Sequence, residues 1–300
     1  MNRHFIASVL SALLVCVAFG TAPGISAQTG GTYKVDASWA LPAGTKWDGL
    51  PMGIAADRKG HVAVLVRTAP YFRVFTRDGV FVKAFGDDAL FKGAHSVRFD
   101  AQGAMWVTNI DTHVVEKFTP EGLLLMTLGK KGVAGDNTSR DMFNRPNHVA
   151  FAPNGDIYVS DGYENARVVQ FSKEGQFVRI IGGVKGSQPG QLQLPHGVAL
   201  DSKGRILVND SDNKRVSVFD KDGTFVEVWP YASRGGIVVT ADDTAYVSDV
   251  NAGAVNIVKN GKLIDKVSVE WPHQMDIDTD GSIYIAGASK MSVSKITKGR

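Results

Sequence analysis

The sequence predicts an all-β protein: a six-bladed β-propeller whose ring is closed by an N-terminal strand completing the last blade. Three observations carry this. A strand-like phrase recurs six times, beginning at Met52, His95, His148, His196, Gly236 and His273, at steps of 37 to 53 residues. Several short strands repeating with such a period are the signature of propeller blades. Each repeat also follows one grammar. An alternating first strand runs into a turn, usually with glycine (Gly60, Gly103, Gly155, Gly204, Gly281). A second strand such as "DIYVS", a third such as "RVVQFS", a turn such as "KEG" and a fourth such as "FVRIIG" complete it. Alternation and β-branched residues favour strands, and acid–glycine pairs favour hairpin turns. Finally, the last repeat stops after three strands, while an unassigned strand-like stretch, residues 32–39, precedes the first repeat. Pairing the two would remove an exposed edge.

The remaining composition narrows the function. The chain has 300 residues, net charge +3, 44% hydrophobic and 21% charged residues, and no clustered basic face. Nucleic-acid binding gains no support from this. Residues 1–27 read as a signal peptide: Arg3 and His4, an apolar run over 5–20, and "ISA" ending at Ala27. Cys16, the only cysteine, lies inside the apolar run, so lipid anchoring there ranks below ordinary cleavage. The expectation is an exported protein, periplasmic or secreted, with one propeller domain over 28–300 and no disulfide. No later apolar stretch is long enough to span a membrane.

Two Gly-rich insertions, residues 129–146 and 182–195, precede the third and fourth inner strands. Loops there lie on the usual binding face of a propeller. Four of the six recurring slots begin with histidine. His95, His196 and His273 fall in blades 2, 4 and 6, about 120° apart around a six-fold ring. Three converging imidazoles with an open position are the ligand set expected of a catalytic zinc. Imidazole also suits copper, iron and nickel. His148, in blade 3, stands outside this threefold set and is held as a further ligand candidate. A lone histidine is more often structural; it is the coincidence in repeated slots that favours ligation. His61 and His113 read as solvated.

Tyr163 follows the second strand of blade 3, Arg67 ends the corresponding strand of blade 1, and Arg215 begins the third strand of blade 4. A tyrosine near a metal and arginines has its phenolate stabilised, which suits a general base. Arginine holds a carboxylate through two parallel hydrogen bonds. The plainer alternative is that Tyr163 packs in its loop and the arginines pair with turn carboxylates; Arg167 is read that way. Asn109, Asp161, Asp210 and Asp249 recur at one strand end and read as turn stabilisers.

The stretches "NGDIYVSDGYENARVVQFSKEGQFV", "PGQLQLPHGVAL" and "NKRVSVF" resemble NHL repeats, a likeness covering residues 32–300. Within that group the order of motifs is similar to peptidyl-α-hydroxyglycine α-amidating lyases. The resemblance implies zinc on His95, His196 and His273, a catalytic Tyr163, and active-site arginines at Arg67 and Arg215. It implies cleavage of a carbinolamide, from a peptide or small molecule, to an amide and glyoxylate. There are departures. His148 stands where the family commonly has aspartate. Gln274 follows the third histidine, where the family has a structural-calcium carboxylate, which puts that calcium in doubt. His95 lacks the preceding proline, the disulfides of the animal enzymes have no counterpart, and no copper monooxygenase domain fits in the chain. The expectation is therefore a monomeric, metal-dependent carbon–nitrogen lyase. Two alternatives remain. One is a non-catalytic exported scaffold binding a protein, peptide or glycan on its loop face. The other, ranked last, is a calcium-dependent lactonase-like hydrolase, because the inner slots carry histidine rather than carboxylates.

Overall fold

Six four-stranded antiparallel sheets follow one another around a ring in the computed structural model, which describes residues 32–41 and 46–299. The signal peptide expected over 1–27, with Cys16, lies outside the described residues. Blades 1 to 5 span residues 51–85, 94–128, 148–182, 195–229 and 237–268. Blade 6 takes three strands from residues 274–298 and its outermost strand from Tyr33–Asp36. That strand pairs antiparallel with Ser292–Lys298, with Tyr33 opposite Lys298. The ring is thus closed as the sequence predicts.

The strand sequences explain their layer. Second strands such as His61–Val66 and Ile157–Asp161 are almost wholly buried and read as near-continuous apolar runs. Outer strands such as Phe81–Phe85 face water along most of their length. A strand covered on both faces needs no polar alternation; an edge strand does. The core is divided into six clusters, one at each junction between neighbouring blades. At the closing junction Trp39, Trp47, Phe75 and Tyr284 pack together. The turn chemistry is equally local. Asp201 Oδ1 accepts from the backbone N–H groups of Lys203 and Arg205, while Gly204 supplies the positive φ of 74°. Asp100 does the same for Gln102 and Ala104 ahead of blade 2's second strand.

The register corrects the alignment of the slots. Ser96, Gly197 and Gln274 lie opposite Thr108, Asn209 and Ala286, and His148 lies opposite the equivalent Ser160. His148 is therefore equivalent to Ser96, not to His95. The residue in the histidine slot of blade 3 is Asn147. The same one-residue correction makes Gly235, not Gly236, the slot residue of blade 5, since Ile237 lies opposite Val247. The true slots hold Met52, His95, Asn147, His196, Gly235 and His273. Three of the six are histidine, all in even-numbered blades. Those in blades 1, 2 and 4 are extra residues at β-bulges: the pairing shifts across Pro51/Gly53, Ala94/Ser96 and Pro195/Gly197. A bulge leaves its residue outside the ladder and re-aims the side chain. At His95 and His196 it turns the imidazole into the channel.

Candidate metal centre

The three imidazoles form a nearly equilateral triangle, with ring centroids 5.2 Å (His95–His196), 5.1 Å (His95–His273) and 5.0 Å (His196–His273) apart. One ring nitrogen from each lies within 4.8 Å of the others, and all three side chains are buried. Backbone carbonyls orient two of them. His95 Nδ1 donates to the Asn147 carbonyl and His273 Nδ1 to the Met52 carbonyl, each at 2.9 Å. Both acceptors are the slot residue of the next blade around the ring. His196 Nδ1 is buried with no partner. With Nδ1–H engaged, Nε2 of His95 and His273 carries the lone pair that faces the centre.

Burial pushes all three imidazoles below the ordinary histidine range, and their mutual repulsion adds to this at His95 and His196. His273 is pushed down to about 4. The site is thus three neutral imidazoles at neutral pH, the form that ligates a metal. Three nitrogen donors without a carboxylate suit a borderline transition metal such as zinc. They do not suit calcium, which takes oxygen ligands. At Gln274 both amide atoms are buried and unpartnered. The nearby buried carboxylate, Asp276, is committed to Arg98 Nη1 at 2.8 Å and to the Ala56 N–H at 3.0 Å. A neutral amide beside a neutralised acid does not fit the structural calcium that the resemblance implied.

Tyr163 reaches this triangle. Its hydroxyl is 2.9 Å from His95 Nε2 and 3.4 Å from His196 Nε2. Burial pushes the phenol up, while Arg234, Arg67, Arg145 and the Asn147 amide pull it down. Without a metal the burial wins. The fall expected near arginines is present as a pull, not as a net shift. Asn147 also accepts from the Gly162 N–H through Oδ1 at 2.8 Å, which fixes the turn leading into Tyr163. Arg145 lies over the Tyr163 ring, its Cζ 5.6 Å from the centroid.

The site residues proposed from sequence are distributed unevenly. His95, His196, His273 and Tyr163 come together, and the Arg67 charge is felt at His95, His273 and Tyr163. His148 is not in the triangle; its Nδ1 accepts from the Val198 N–H at 3.4 Å. Arg215 is not brought to the site either. Its Nε donates to Asp210 at 3.0 Å, and its Nη atoms hold the carbonyls of Ser187, Gln188 and Gln191. The register explains why: Asp210 lies opposite Arg215 as Asp161 lies opposite Arg167. Arg167 likewise holds Asp161 and the carbonyls of Ser139 and Met142. These paired arginines pin the two long insertions. Asn147, Arg145 and Arg234 were not read from the sequence as site residues. The one available signal was that blades 3 and 5 run a residue short, which a shifted slot explains. Of the other two histidines among the described residues, His61 Nδ1 is 3.0 Å from Asp57 Oδ2 and His113 Nδ1 accepts from the Arg145 N–H at 3.1 Å.

Fold and centre define an NHL-repeat six-bladed β-propeller with a buried three-histidine site. The NHL repeat model itself matches residues 143–171 and 192–219. Within that class the chain resembles peptidyl-α-hydroxyglycine α-amidating lyases. It is 27% identical over 240 residues to peptidyl-α-hydroxyglycine α-amidating lyase 1 of Drosophila melanogaster, covering 67% of this chain and 44% of that protein. It is also 27% identical over 294 residues to human NHL repeat-containing protein 3, covering 88% and 83% of the two chains. Among solved structures, a gluconolactonase from Xanthomonas campestris superposes with TM-score 0.69 at 14% identity, over 89% of this chain and 90% of that one. At that identity the likeness shows the fold alone. The chain spans less than half the length of the lyase it matches. No helix among the described residues is long and apolar enough to cross a membrane.

Proposed function

We propose that this protein is an exported, metal-dependent carbon–nitrogen lyase that cleaves a carbinolamide to an amide and glyoxylate. One observation carries the reading: the Tyr163 hydroxyl lies 2.9 Å from a nitrogen of a three-imidazole set whose donor atoms fall within 4.8 Å of one another. His95, His196 and His273 would hold the metal, zinc by preference. Bound there, it would supply Lewis acidity at a substrate oxygen.

The chain's own residues do the rest. Tyr163, as phenolate, accepts the proton of the carbinol hydroxyl. The electron pair left on the oxygen by the broken O–H bond forms the C=O bond, the C–N bond breaks, and the proton passes from Tyr163 to the departing amide nitrogen. Atoms and charge balance without a further reactant. Arg67 holds the α-carboxylate, and the arginine charges oppose the burial that keeps Tyr163 protonated.

The test is turnover of an N-acyl-α-hydroxyglycine by purified mature protein, followed as glyoxylate release and set beside metal content. Equimolar metal and glyoxylate formation, both abolished by His196→Ala, are expected. A protein without stoichiometric transition metal would overturn the reading.

A further inference from the structure

Arginine pairing singles out a second feature of the same face. The described residues include twelve arginines, and eight of them sit in ion pairs with aspartate or glutamate. Of the other four, Arg140 stacks on Phe177 at 5.4 Å. The remaining three are Arg67, Arg145 and Arg234, and among the described residues none of their guanidinium groups has a hydrogen-bond or ion-pair partner. The Nε atoms of Arg67 and Arg145 are buried in that state. Glu164, the acid next to Tyr163 in the chain, is exposed and pairs with none of them.

Their positions follow the ring. Arg67 follows the second strand of blade 1, Arg145 stands two residues before the slot of blade 3, and Arg234 directly precedes the slot residue of blade 5. Odd blades thus supply arginines where even blades supply histidines. Arg145 is held in a left-handed conformation, φ 64°, with its N–H on His113 Nδ1. The three charges act on a common spot: all are felt at Tyr163, and Arg67 and Arg234 also at His273. Three guanidinium groups without a carboxylate partner, one of them over the Tyr163 ring and all three felt at its hydroxyl, suit an anionic ligand. One α-carboxylate, on Arg67, leaves two guanidinium groups without a partner.

Building on the lyase reading, we infer that Arg145 and Arg234 bind a second acidic group, so that the substrate is a dianion: an α-hydroxyglycine whose acyl half carries its own carboxylate. Guanidinium forks suit that planar group. This narrows the substrate class from peptides in general to short acidic N-acyl compounds.

The experiment compares two inert ligands, N-succinylglycine and N-benzoylglycine, by calorimetry on the protein as purified with its metal. The first carries the second carboxylate and the second does not. Wild type is expected to favour N-succinylglycine by about tenfold or more in Kd, the scale of one charge-assisted pair. Arg145→Gln and Arg234→Gln should each shrink that ratio, the double variant should bring it near one, and Arg234→Lys should keep part of it. Thermal melts establish that the variants are folded; Arg234 is exposed, so its replacement disturbs no packing. Equal affinity for both ligands in wild type, or a preference that survives the double variant, overturns the inference. Turnover of the two α-hydroxylated analogues separates it from the lyase reading. Acid-selective binding without turnover leaves the arginine site standing and removes the lyase; turnover without acid preference does the reverse.

Discussion

The Tyr163 hydroxyl donates to His95 Nε2 across 2.9 Å, because His95 Nδ1–H is already given to the Asn147 carbonyl. The lone pair that would ligate a metal is the one that now accepts the phenol proton. Metal and tyrosine proton would therefore compete for one nitrogen, and on the lyase reading a loaded site would free Tyr163 to act as base. Tyr163→Phe removes the competitor and the base together. We expect it to keep one metal per chain while kcat falls by about 10²- to 10⁴-fold, the range for loss of a general base. Metal analysis and steady-state kinetics on the same preparation check this.

Asn147 sits between these two residues. Its carbonyl orients His95, its Oδ1 holds the Gly162 N–H, and its amide lowers the Tyr163 pKa. Asn147→Ala keeps the carbonyl and loses the other two. The Tyr163 pKa then rises, so the ascending limb of the kcat–pH profile moves to higher pH. The orphaned Gly162 N–H costs about 1–3 kcal/mol of stability. A profile that falls in height without moving along the pH axis would assign Asn147 a purely structural role.

The ring, its closure and the three clustered histidines were legible because each rests on local chemistry that recurs: strand alternation, Asp and Gly turns, and one residue type in one slot. The one-residue offset of blades 3 and 5 was not legible as an offset. A slot is defined by pairing across strands, and the bulges at His95 and His196 shift that pairing, leaving in the sequence only the one-residue shortfall of blades 3 and 5. His148 was read into the slot because it lies beside Asn147, and a slip of one residue sends a strand side chain to the opposite face. Arg215 illustrates a different gap. Only the equivalence of Asp210–Arg215 with Asp161–Arg167 reveals that it pins an insertion. Arg234 lies far from Tyr163 in the chain, and only the ring brings its charge to bear there.

The buried imidazoles make stability pH-dependent in a definite direction. His95, His148 and His196 all lie well below the ordinary histidine range, chiefly through burial, and His273 lies at about 4. Above pH ~6.5 these groups are neutral in both folded and unfolded chains and contribute no slope. Below it the unfolded chain takes up protons that the folded chain refuses, so stability falls with pH down to the folded values. His273 alone removes on the order of 3 kcal/mol between pH ~6.5 and ~4. Urea unfolding of chelator-treated protein at pH 7.5, 6 and 5 is expected to show midpoints falling at each step. A flat series would mean that the imidazoles protonate within the fold.

Closure of the ring at Tyr33 gives the last prediction. Tyr33 packs edge-on against Tyr246, with centroids 6.1 Å apart and hydroxyls 3.0 Å apart, and it belongs to the cluster joining blades 5 and 6. The strand that carries it is only four residues long, Tyr33–Asp36, so its backbone ladder to Ser292–Lys298 is short and the packing of Tyr33 must add to it. Tyr33→Ala should cost about 3–5 kcal/mol, as for other buried aromatic truncations. Tyr33→Phe keeps the ring and loses one hydrogen bond, so it should cost about 1 kcal/mol. Hydrogen exchange then separates two ways of failing. If the strand detaches alone, protection is lost in Ser292–Lys298 and retained in the inner strand Pro195–Leu200 across the ring. If closure holds the whole propeller together, both lose protection in parallel. The second result is expected, because each blade is packed only against its two neighbours, and an opened ring leaves an unpaired edge in blade 6 and weakens its junction with blade 5.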